Sequence, residues 1–297
     1  MAFDVIEPQL IAPEGALSDL NARILRTPTD PRVLFTDDPL RMLRAARFMS
    51  RFEFDIDPDV EAAAQELSER LTIVSAERIR VELDLLLMTE RPSLGLDFIF
   101  RTGLAEHFLP ELPGLALEQD PVHHHKDVLT HTYAVIEKVR RVTDSTETEP
   151  EGRSNLVVRL AALFHDVGKP KTRAFTEKGV TFHGHDHVGA RMTKKRMAAL
   201  KYSQQMIDDV AKLVELHLRF HTYAMGWSDA AVRRYVRDAD HLLDELNELT
   251  RCDCTTRNRR KAQELDRRMN ELEARIAELR EREDLDSQRP EIGRAHV

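Results

Sequence analysis

Residues 37–48 read DDPLRMLRAARF, and their apolar members recur at the three-to-four spacing of a helix: Leu40, Leu43, Ala46 and Phe48. An acidic residue, Asp37 or Asp38, followed by Pro39 is typical of a helix start. The same combination occurs again at Asp57-Pro58, which predicts a second start. Working outward from this segment, apolar stripes predict further helices around 76–89 and 93–102.

The flanking regions are less regular. Residues 1–35 contain several prolines and no room for a closed core, which predicts an irregular segment ending a preceding unit. The polar residues 142–155 predict a surface loop. Near the end, a seam at heptad spacing favours a helix that packs on the body, with a coiled coil as the alternative; its members are Leu265, Met269, Leu272, Ile276 and Leu279.

Composition supports a mainly α fold. The chain has 297 residues, 32% of them charged and only 6% aromatic, which is typical of helical proteins and long enough for two domains. Its net charge of −8 excludes an overall basic nucleic-acid binder, so RNA contacts would have to come from local basic patches. No apolar run reaches transmembrane length and no signal peptide is evident, so we expect a cytoplasmic protein without a membrane partner.

The sharpest chemical pattern is LFHDVGK, residues 163–169, in which His and Asp are adjacent at the end of an apolar run. A divalent metal site needs several such ligands from separate elements. The order H…HD…H…H…D supplies them at His131, His165, Asp166, His185, His217 and Asp253. Any one histidine alone is more often an ordinary hydrogen-bonded residue. The histidines at 123, 124, 183, 187 and 221 fit no position in the order, with His221 held in reserve, and Cys252 and Cys254 are interpreted as packing residues.

This order resembles the HD superfamily of metal-dependent phosphohydrolases over about residues 120–256. The resemblance implies core metal ligands at His131, His165, Asp166 and Asp253, and further ligands of a two-metal site at His185 and His217. It also implies hydrolytic chemistry at His165 and Asp166, because a metal pair activates water and holds a phosphate ester. The metal is left open among Mg, Mn, Ni, Co, Zn and Fe. Lys169 is either a phosphate contact or a solvated lysine.

Residues 35–48 closely resemble the nucleotide-reading motif of tRNA nucleotidyltransferases and bacterial poly(A) polymerases. The resemblance implies nucleotide binding by Asp38, Arg41, Arg44 and Arg47, since fixed carboxylate and guanidinium groups can read the pairing edge of a base. The alternative is a solvated arginine stripe. The segment SAERIRVEL, residues 75–83, resembles the next motif of that family, and residues 251–258 resemble the closing segment of its HD-bearing branch.

The family's catalytic head carries a glycine-rich loop and paired carboxylates for two Mg²⁺, and neither precedes Asp37. Asp55-Ile56-Asp57 is rejected as that pair, because Asp57 before Pro58 is better interpreted as a helix cap. We therefore expect a fragment cut at both ends. Its expected parts are a head remnant (1–35), a nucleotide- and RNA-binding neck and body (36–115), an HD domain (116–256), a truncated helical tail (257–290) and residues 291–297, which resemble a translated sequencing adapter.

Three functions follow. The first is CCA tRNA nucleotidyltransferase, which completes tRNA 3′ ends with CTP and ATP, here without the head that adds nucleotides. The second is an HD phosphohydrolase or 2′,3′-cyclic phosphodiesterase acting alone. The third is a tRNA-binding module without catalysis, using the basic runs at 194–196 and 257–261. The sequence does not separate CCA addition from poly(A) or A-only addition, and it leaves the oligomeric state open.

Overall fold

The computed structural model describes residues 2–4, 9–117, 127–139, 153–177, 179–255 and 258–287. Its helices up to residue 114 are α1 (Ala16–Ala22), α2 (Pro31–Asp37), α3 (Leu40–Phe52), α4 (Pro58–Glu66), α5 (Ala76–Leu87), α6 (Pro92–Arg101), α7 (Ala105–Phe108) and α8 (Glu111–Gly114). The later helices are α9 (Val128–Lys138), α10 (Arg153–Phe164), α11 (Lys169–Thr172), α12 (His185–Ala199), α13 (Gln204–Leu216), α14 (Asp229–Ala239), α15 (Leu243–Asp253) and α16 (Arg259–Ser287). Short 3-10 helices span Ser68–Ile73, Arg219–Met225 and Asp240–Leu242.

The described strands are short and form three two-stranded sheets. Strands β1 (Ala2–Asp4) and β2 (Gln9–Ile11) pair antiparallel, as do β5 (Ala174–Thr176) and β6 (Gly179–Thr181). Strands β3 (Ile24–Leu25) and β4 (Asp55–Ile56) pair in parallel, which fastens the N-terminal segment beside the end of α3. The fold is therefore mainly α, as expected.

The N-terminal segment is more regular than the sequence predicted. Residues 1–35 were expected to be irregular, but they hold α1, most of α2 and three short strands. Helix α2 begins with Asp30, whose side chain accepts a hydrogen bond from the backbone N–H of Arg32, and with Pro31 in the first turn. Proline there marks a helix start and not a break. Helix α2 crosses residue 35, where a domain boundary was expected, and packs on α4.

The neck is built around α3, which packs on α5 and α6. A Cβ at Gly95 in α6 would lie 2.4 Å from the carbonyl oxygen of Ala46, so only glycine permits this crossing. The Gly95 amide donates to the Ser50 hydroxyl at 2.8 Å there. Helix α4 starts at Asp57 as predicted, with the Asp57 side chain accepting from the backbone N–H of Asp59. Helix α3 begins at Leu40, directly after Pro39, as predicted, although no side chain caps its first turn.

The second half of the chain is arranged around α10. This apolar helix contacts α9, α12, α13 and α15, and it also contacts α5 of the neck. Helix α16 packs on α14 and α15 and buries Met269 and Leu272 completely, so the heptad seam belongs to a packing helix, as predicted. Most of the predicted loop at 142–155 lies outside the described residues, and residues 153–155 begin α10.

Polar contacts tie the neck to this second half across one continuous apolar core. Arg159 of α10 donates to the carbonyl oxygens of Leu87 and Thr89 at the end of α5. Arg196 of α12 forms an ion pair with Glu111 at 2.8 Å. These contacts fix the orientation of α10, whose end carries the His-Asp pair.

Candidate metal centre

Six side chains predicted from the sequence converge beside the end of α10. They come from five different elements: His131 from α9, His165 and Asp166 from the end of α10, His185 from the start of α12, His217 from the end of α13, and Asp253 from the end of α15. They form two groups that could each hold an ion, His131 with His165 and Asp253, and Asp166 with His185 and His217. Within each group, one ligand atom per residue lies within 4.8 Å of the others.

The first group is tightly clustered. The Nε2 atom of His131 lies 2.9 Å from Oδ1 of Asp253 and 3.3 Å from Nε2 of His165. The Nε2 atom of His165 lies 3.6 Å from the same Asp253 oxygen. Two imidazoles and a carboxylate therefore point to one place.

Asp166 connects the two groups through its two oxygens. Its Oδ2 lies 3.2 Å from Nε2 of His165 in the first group, whereas its Oδ1 lies 3.4 Å from Nε2 of His185 in the second. A carboxylate in this position can bridge two metal ions, with one oxygen on each ion, as in two-metal sites.

The second group contains two buried nitrogen atoms without a good hydrogen bond. The Nε2 atoms of His185 and His217 are enclosed, and among the described residues neither forms a hydrogen bond of good geometry; His185 Nε2 only faces Oδ1 of Asp166 at 3.4 Å. A buried polar atom without a partner costs about 1–3 kcal/mol, so native structures rarely keep one without a use. A divalent ion accepts the lone pairs of such nitrogens, and the residues present therefore fit a metal.

The opposite ring nitrogens fix the orientation of the imidazoles. The Nδ1 atoms of His165, His185 and His217 lie 2.6–2.8 Å from backbone carbonyl oxygens of their own chain segments. A carbonyl can only accept, so each Nδ1 carries a proton, and in the neutral imidazole Nε2 is then the electron-pair donor. For His131 the partner of Nδ1 is the Thr255 hydroxyl at 2.8 Å. Sequence reasoning missed Thr255, whose only signal is its position two residues after Asp253.

The end of α10 and the start of α12 approach each other closely through their backbones at Gly168. A Cβ at Gly168 would lie 2.1 Å from the carbonyl oxygen of His185 and 2.7 Å from the amide nitrogen of Gly189. The turn after the His-Asp pair can therefore lie directly on the start of α12 only because residue 168 has no side chain.

The charges of the site suit metal binding. Burial opposes ionisation of Asp166, yet the neighbouring His165 and Lys169 hold the pKa of its carboxyl well below the ordinary value. Burial also opposes ionisation of Asp253, yet the neighbouring His131 and His221 hold the pKa of its carboxyl well below the ordinary value. Burial and the nearby His165 lower the pKa of His217 to about 4. At neutral pH the site offers ionised carboxylates and a neutral His217. Although burial opposes it, the carboxylates of Asp166 and Asp253 raise the pKa of His165, so a metal ion would have to compete with a proton at that ring.

Lys169 and His221 lie at the edge of the site. The Lys169 ammonium is 2.6 Å from Oδ2 of Asp166, and the Nε2 atom of the half-exposed His221 is 3.8 Å from Oδ2 of Asp253. His221, which the sequence analysis did not assign to the ligand set, therefore lies beside the ligand Asp253. Among the other histidines, His187 is exposed beside Glu215, while 123 and 124 lie outside the described residues.

The predicted nucleotide-binding residues lie on or beside α3, and their side chains differ in environment. Oδ1 of Asp38 accepts from Arg78 of α5 at 3.2 Å. Arg47 forms a largely buried ion pair with Glu82 at 2.7 Å. Arg41 and Arg44 are exposed and have no side-chain partner within the described part of the chain.

Comparison with known proteins identifies both halves of the chain. The family described as a probable RNA- and SrmB-binding site of polymerase A matches residues 53–115, and the HD domain family matches residues 128–282. The A-adding tRNA nucleotidyltransferase of Deinococcus radiodurans is 33% identical over 253 residues, which cover 82% of this chain and 55% of that protein. The CC-adding tRNA nucleotidyltransferase of Thermus thermophilus is 31% identical over 78% of this chain and 52% of its own length.

Solved structures show the same fold. The structure of the Bacillus stearothermophilus CCA-adding enzyme in complex with CTP aligns with a TM-score of 0.56 at 19% identity, covering 91% of this chain and 55% of that one. The chain thus spans about half the length of the relatives it matches. Within the described residues, no helix is long and apolar enough to cross a membrane. The chain belongs to the tRNA nucleotidyltransferase and poly(A) polymerase family, in the branch that carries an HD domain.

Proposed function

We propose that this chain is the nucleotide-reading neck and HD portion of a tRNA nucleotidyltransferase that completes tRNA 3′ ends with CTP and ATP. The observation that carries the proposal is the junction of α2 and α3. There Arg78 holds the Asp38 carboxylate, and Arg41, which has no side-chain partner in the described part of the chain, follows one turn later. Fixed acceptor and donor groups at one place can read the pairing edge of a base. The braced Asp38 gives the motif at 75–83 a physical role, since Arg78 belongs to it.

In this proposal the remaining residues have separate roles. Arg44 contacts phosphate, and Arg47 contributes by fixing α3 on α5 through Glu82. The neck and body comprise residues 36–115 and the HD domain 116–256, with Mg²⁺ chemistry supplied by a head. Asp57 cannot serve in a catalytic carboxylate pair, because it caps α4 and pairs with Arg26 at 2.8 Å.

The proposal is tested by binding and incorporation in one preparation. We expect the chain to bind a tRNA that lacks its 3′-terminal CCA, and to incorporate neither CTP nor ATP into it. Arg41→Ala should weaken CTP and ATP binding. Arg191→Ala should not, because Arg191 is an exposed arginine that likewise has no side-chain partner among the described residues but lies on α12. No tRNA binding by the unmodified chain would overturn the proposal, and incorporation would mean that the catalytic carboxylates are misplaced.

The HD site supports a second activity, which the two unpartnered buried nitrogens favour: metal-dependent hydrolysis of a phosphomonoester or 2′,3′-cyclic phosphate. The residues that would hold the metal are His131, His165, Asp166, His185, His217 and Asp253. Four imidazoles and two carboxylates favour a transition ion such as Mn, Fe, Co, Ni or Zn over Mg. When bound, the metal would lower the pKa of water and neutralise phosphate charge.

The chain's own groups would do the rest. Lys169, held beside Asp166, adds a positive charge at the mouth of the site for a phosphate oxygen. We expect metal-stimulated hydrolysis of a 2′,3′-cyclic nucleotide that is lost in His165→Ala and Asp166→Ala. The exposed His187→Ala serves as the matched control and should retain it. Equal turnover in all three variants would exclude this site as the source of hydrolysis.

A further inference from the structure

One side of α3 carries aromatic rings and guanidinium groups together. Arg41, Arg44, Phe48, Arg51 and Phe52 follow one another at intervals of three, four, three and one, so they share an arc of roughly 100° on a helix with 3.6 residues per turn. This set of five is named the α3 aromatic face. Its opposite side holds buried residues such as Met42, Leu43 and Ala46, which form the core of the neck.

The rings at the end of this face are stacked, and the outer one, Phe52, is open to solvent while Phe48 is half-buried. Phe48 and Phe52 lie with centroids 5.7 Å apart and planes at 21°. Phe52 is 48% exposed, although it is a large apolar residue. Phe54, after the helix, places its ring 5.8 Å from that of Phe52. The stack therefore ends in an exposed aromatic surface.

The guanidinium groups of the face are not used by the neck. Arg41, Arg44 and Arg51 are exposed, and no carboxylate partner for them occurs in the described residues. Arg51 lies 5.8 Å from the centroid of the Phe52 ring, within cation–π range. In a chain of net charge −8, three unpaired arginines on one helix face form a local positive patch.

Aromatic rings interleaved with unpaired arginines are the chemistry that binds single-stranded nucleic acid. Bases stack on the rings, and guanidinium groups pair with phosphates or stack on bases. A protein partner would also cover the apolar rings, but it would need acidic groups opposite three arginines. From Arg41 to Phe52 the face is roughly 16 Å long at 1.5 Å per residue, which accommodates up to about five nucleotides stacked at 3.4 Å.

We propose that the α3 aromatic face is a stacking platform for unpaired RNA, with a base on Phe52 and the strand running toward Arg44 and Arg41. This deepens the proposed function and rests on it for the identity of the strand as the single-stranded 3′ end of a tRNA. The platform extends beyond the base-reading residues Asp38 and Arg41, and it precedes most of the region matched by the polymerase A RNA-binding family, residues 53–115.

The test measures binding of an eight-nucleotide single-stranded RNA that carries 2-aminopurine, whose fluorescence falls on stacking. We expect the unmodified chain to bind the oligonucleotide and quench it. Phe52→Ala should weaken binding at least about fivefold, which is the loss expected for one stacked base, and should abolish the quenching. Phe52→Trp should retain both, whereas Phe52→Leu should not, because it keeps apolar area without a π-face. Arg51→Gln should reduce the salt dependence of binding.

The matched control is Phe175→Ala. Phe175 is 66% exposed and has Arg173 4.8 Å from its ring centroid, but it lies on β5 and away from α3. Its loss should leave binding and quenching unchanged. Equal binding by Phe52→Ala and the unmodified chain would overturn the proposal, and a change of oligomeric state without an effect on RNA would assign the face to a protein partner. Circular dichroism confirms that each variant is folded.

Full tRNA separates this inference from the proposed function. If tRNA binds equally well to the unmodified chain and Phe52→Ala, the platform is wrong while the proposed function stands. If the oligonucleotide binds through Phe52 but tRNA does not bind at all, the platform stands and the strand is not a tRNA end.

Discussion

The imidazole of His217 is only 1% exposed, and its Nε2 atom has no hydrogen-bond partner among the described residues. We predict opposite effects of His217→Leu in two conditions. Without added metal the variant should be more stable by about 1–3 kcal/mol, since a buried unsatisfied nitrogen is removed. With added metal the unmodified chain should gain stability and the variant should gain much less. Thermal unfolding with and without divalent metal, together with metal content, measures both effects.

His187→Leu is the control for this prediction. His187 is 63% exposed and lies beside Glu215 outside the two ligand groups, so its loss should change neither the stability nor the metal response appreciably. An unmodified chain that gains nothing from any divalent ion would contradict the interpretation of the unpartnered nitrogens.

At this scale the sequence predicted which side chains would meet. All six candidate ligands converge, and they had been assigned because the order H…HD…H…H…D resembles that of the HD superfamily. The orientation of the rings was not predictable, since it depends on backbone carbonyls three residues earlier and on Thr255 from a distant element. The pairing of Arg47 with Glu82 was also not predictable, because a stripe of arginines does not reveal which one faces a neighbouring helix.

At the scale of elements, α3 and α5 are joined by a largely buried ion pair. The side chains of Arg47 and Glu82 are 11% and 10% exposed, and Arg47 also lies over the Phe48 ring. We predict that Arg47→Met destabilises the chain by about 3–5 kcal/mol, since it leaves the Glu82 charge almost buried without a partner. Denaturant unfolding measures the loss.

The double variant Arg47→Met with Glu82→Leu distinguishes the ion pair from simple packing. It should recover most of the stability lost in the single variant, because no uncompensated charge remains. Losses that simply add would show that the two residues contribute independently.

The contact between α5 and the loop after α12 should respond to pH. Tyr202 donates to the Asp84 carboxylate, and burial raises the pKa of Asp84 from 3.8 to about 6 although this hydrogen bond opposes the change. The folded state thus binds the proton more tightly than the unfolded state does. Stability from this group is present below pH 4 and is lost as pH rises through about 6.

Asp84→Asn isolates this effect. The difference in unfolding free energy between the variant and the unmodified chain should shift in favour of the variant between pH 4 and 7, by at most about 3 kcal/mol at 1.36 kcal/mol per pKa unit. Denaturant unfolding across this range measures it, and a constant difference would show that Asp84 titrates normally in the folded chain.

The positions of most helices were predictable from the sequence, whereas the residues at which helices begin were predictable only in part. The expected helices near 76–89 and 93–102 are α5 and α6, since local apolar spacing and caps such as Ser75 act within one turn. Helix α2 was missed because Pro28 and Pro31 were interpreted as breaks, although Asp30-Pro31 repeats the pattern of Asp57-Pro58.

For the whole molecule, the shared core and the contacts of Arg159 and Arg196 predict one cooperative unfolding transition for the neck and the HD domain. Trp227 is the single tryptophan and packs against Tyr223 and Tyr235 in the second half of the chain. Its fluorescence therefore reports on the unfolding of that half. Far-ultraviolet circular dichroism reports on all helices. The two signals should have the same midpoint in denaturant.

Two separate midpoints would instead show that the neck and the HD domain unfold independently. In that case Arg159→Met should shift neither midpoint, whereas in a single cooperative unit it should lower the common midpoint.

The central position of α10, which joins the neck and the HD domain into one cooperative unit, was not predictable from its sequence. An apolar run predicts that a helix is buried, but not which other helices pack on it.

The glycine at 168 gives the metal centre a property that its ligands alone do not. The backbone after the His165-Asp166 pair lies on the start of α12, which carries His185, so one methyl group at this position would push these ligands apart without altering any donor atom. A site held open in this way would favour larger cations than the present one. Two descendants of one gene with identical ligands would then acquire different metals from the same cell, and a comparison of ligands alone would not detect the divergence.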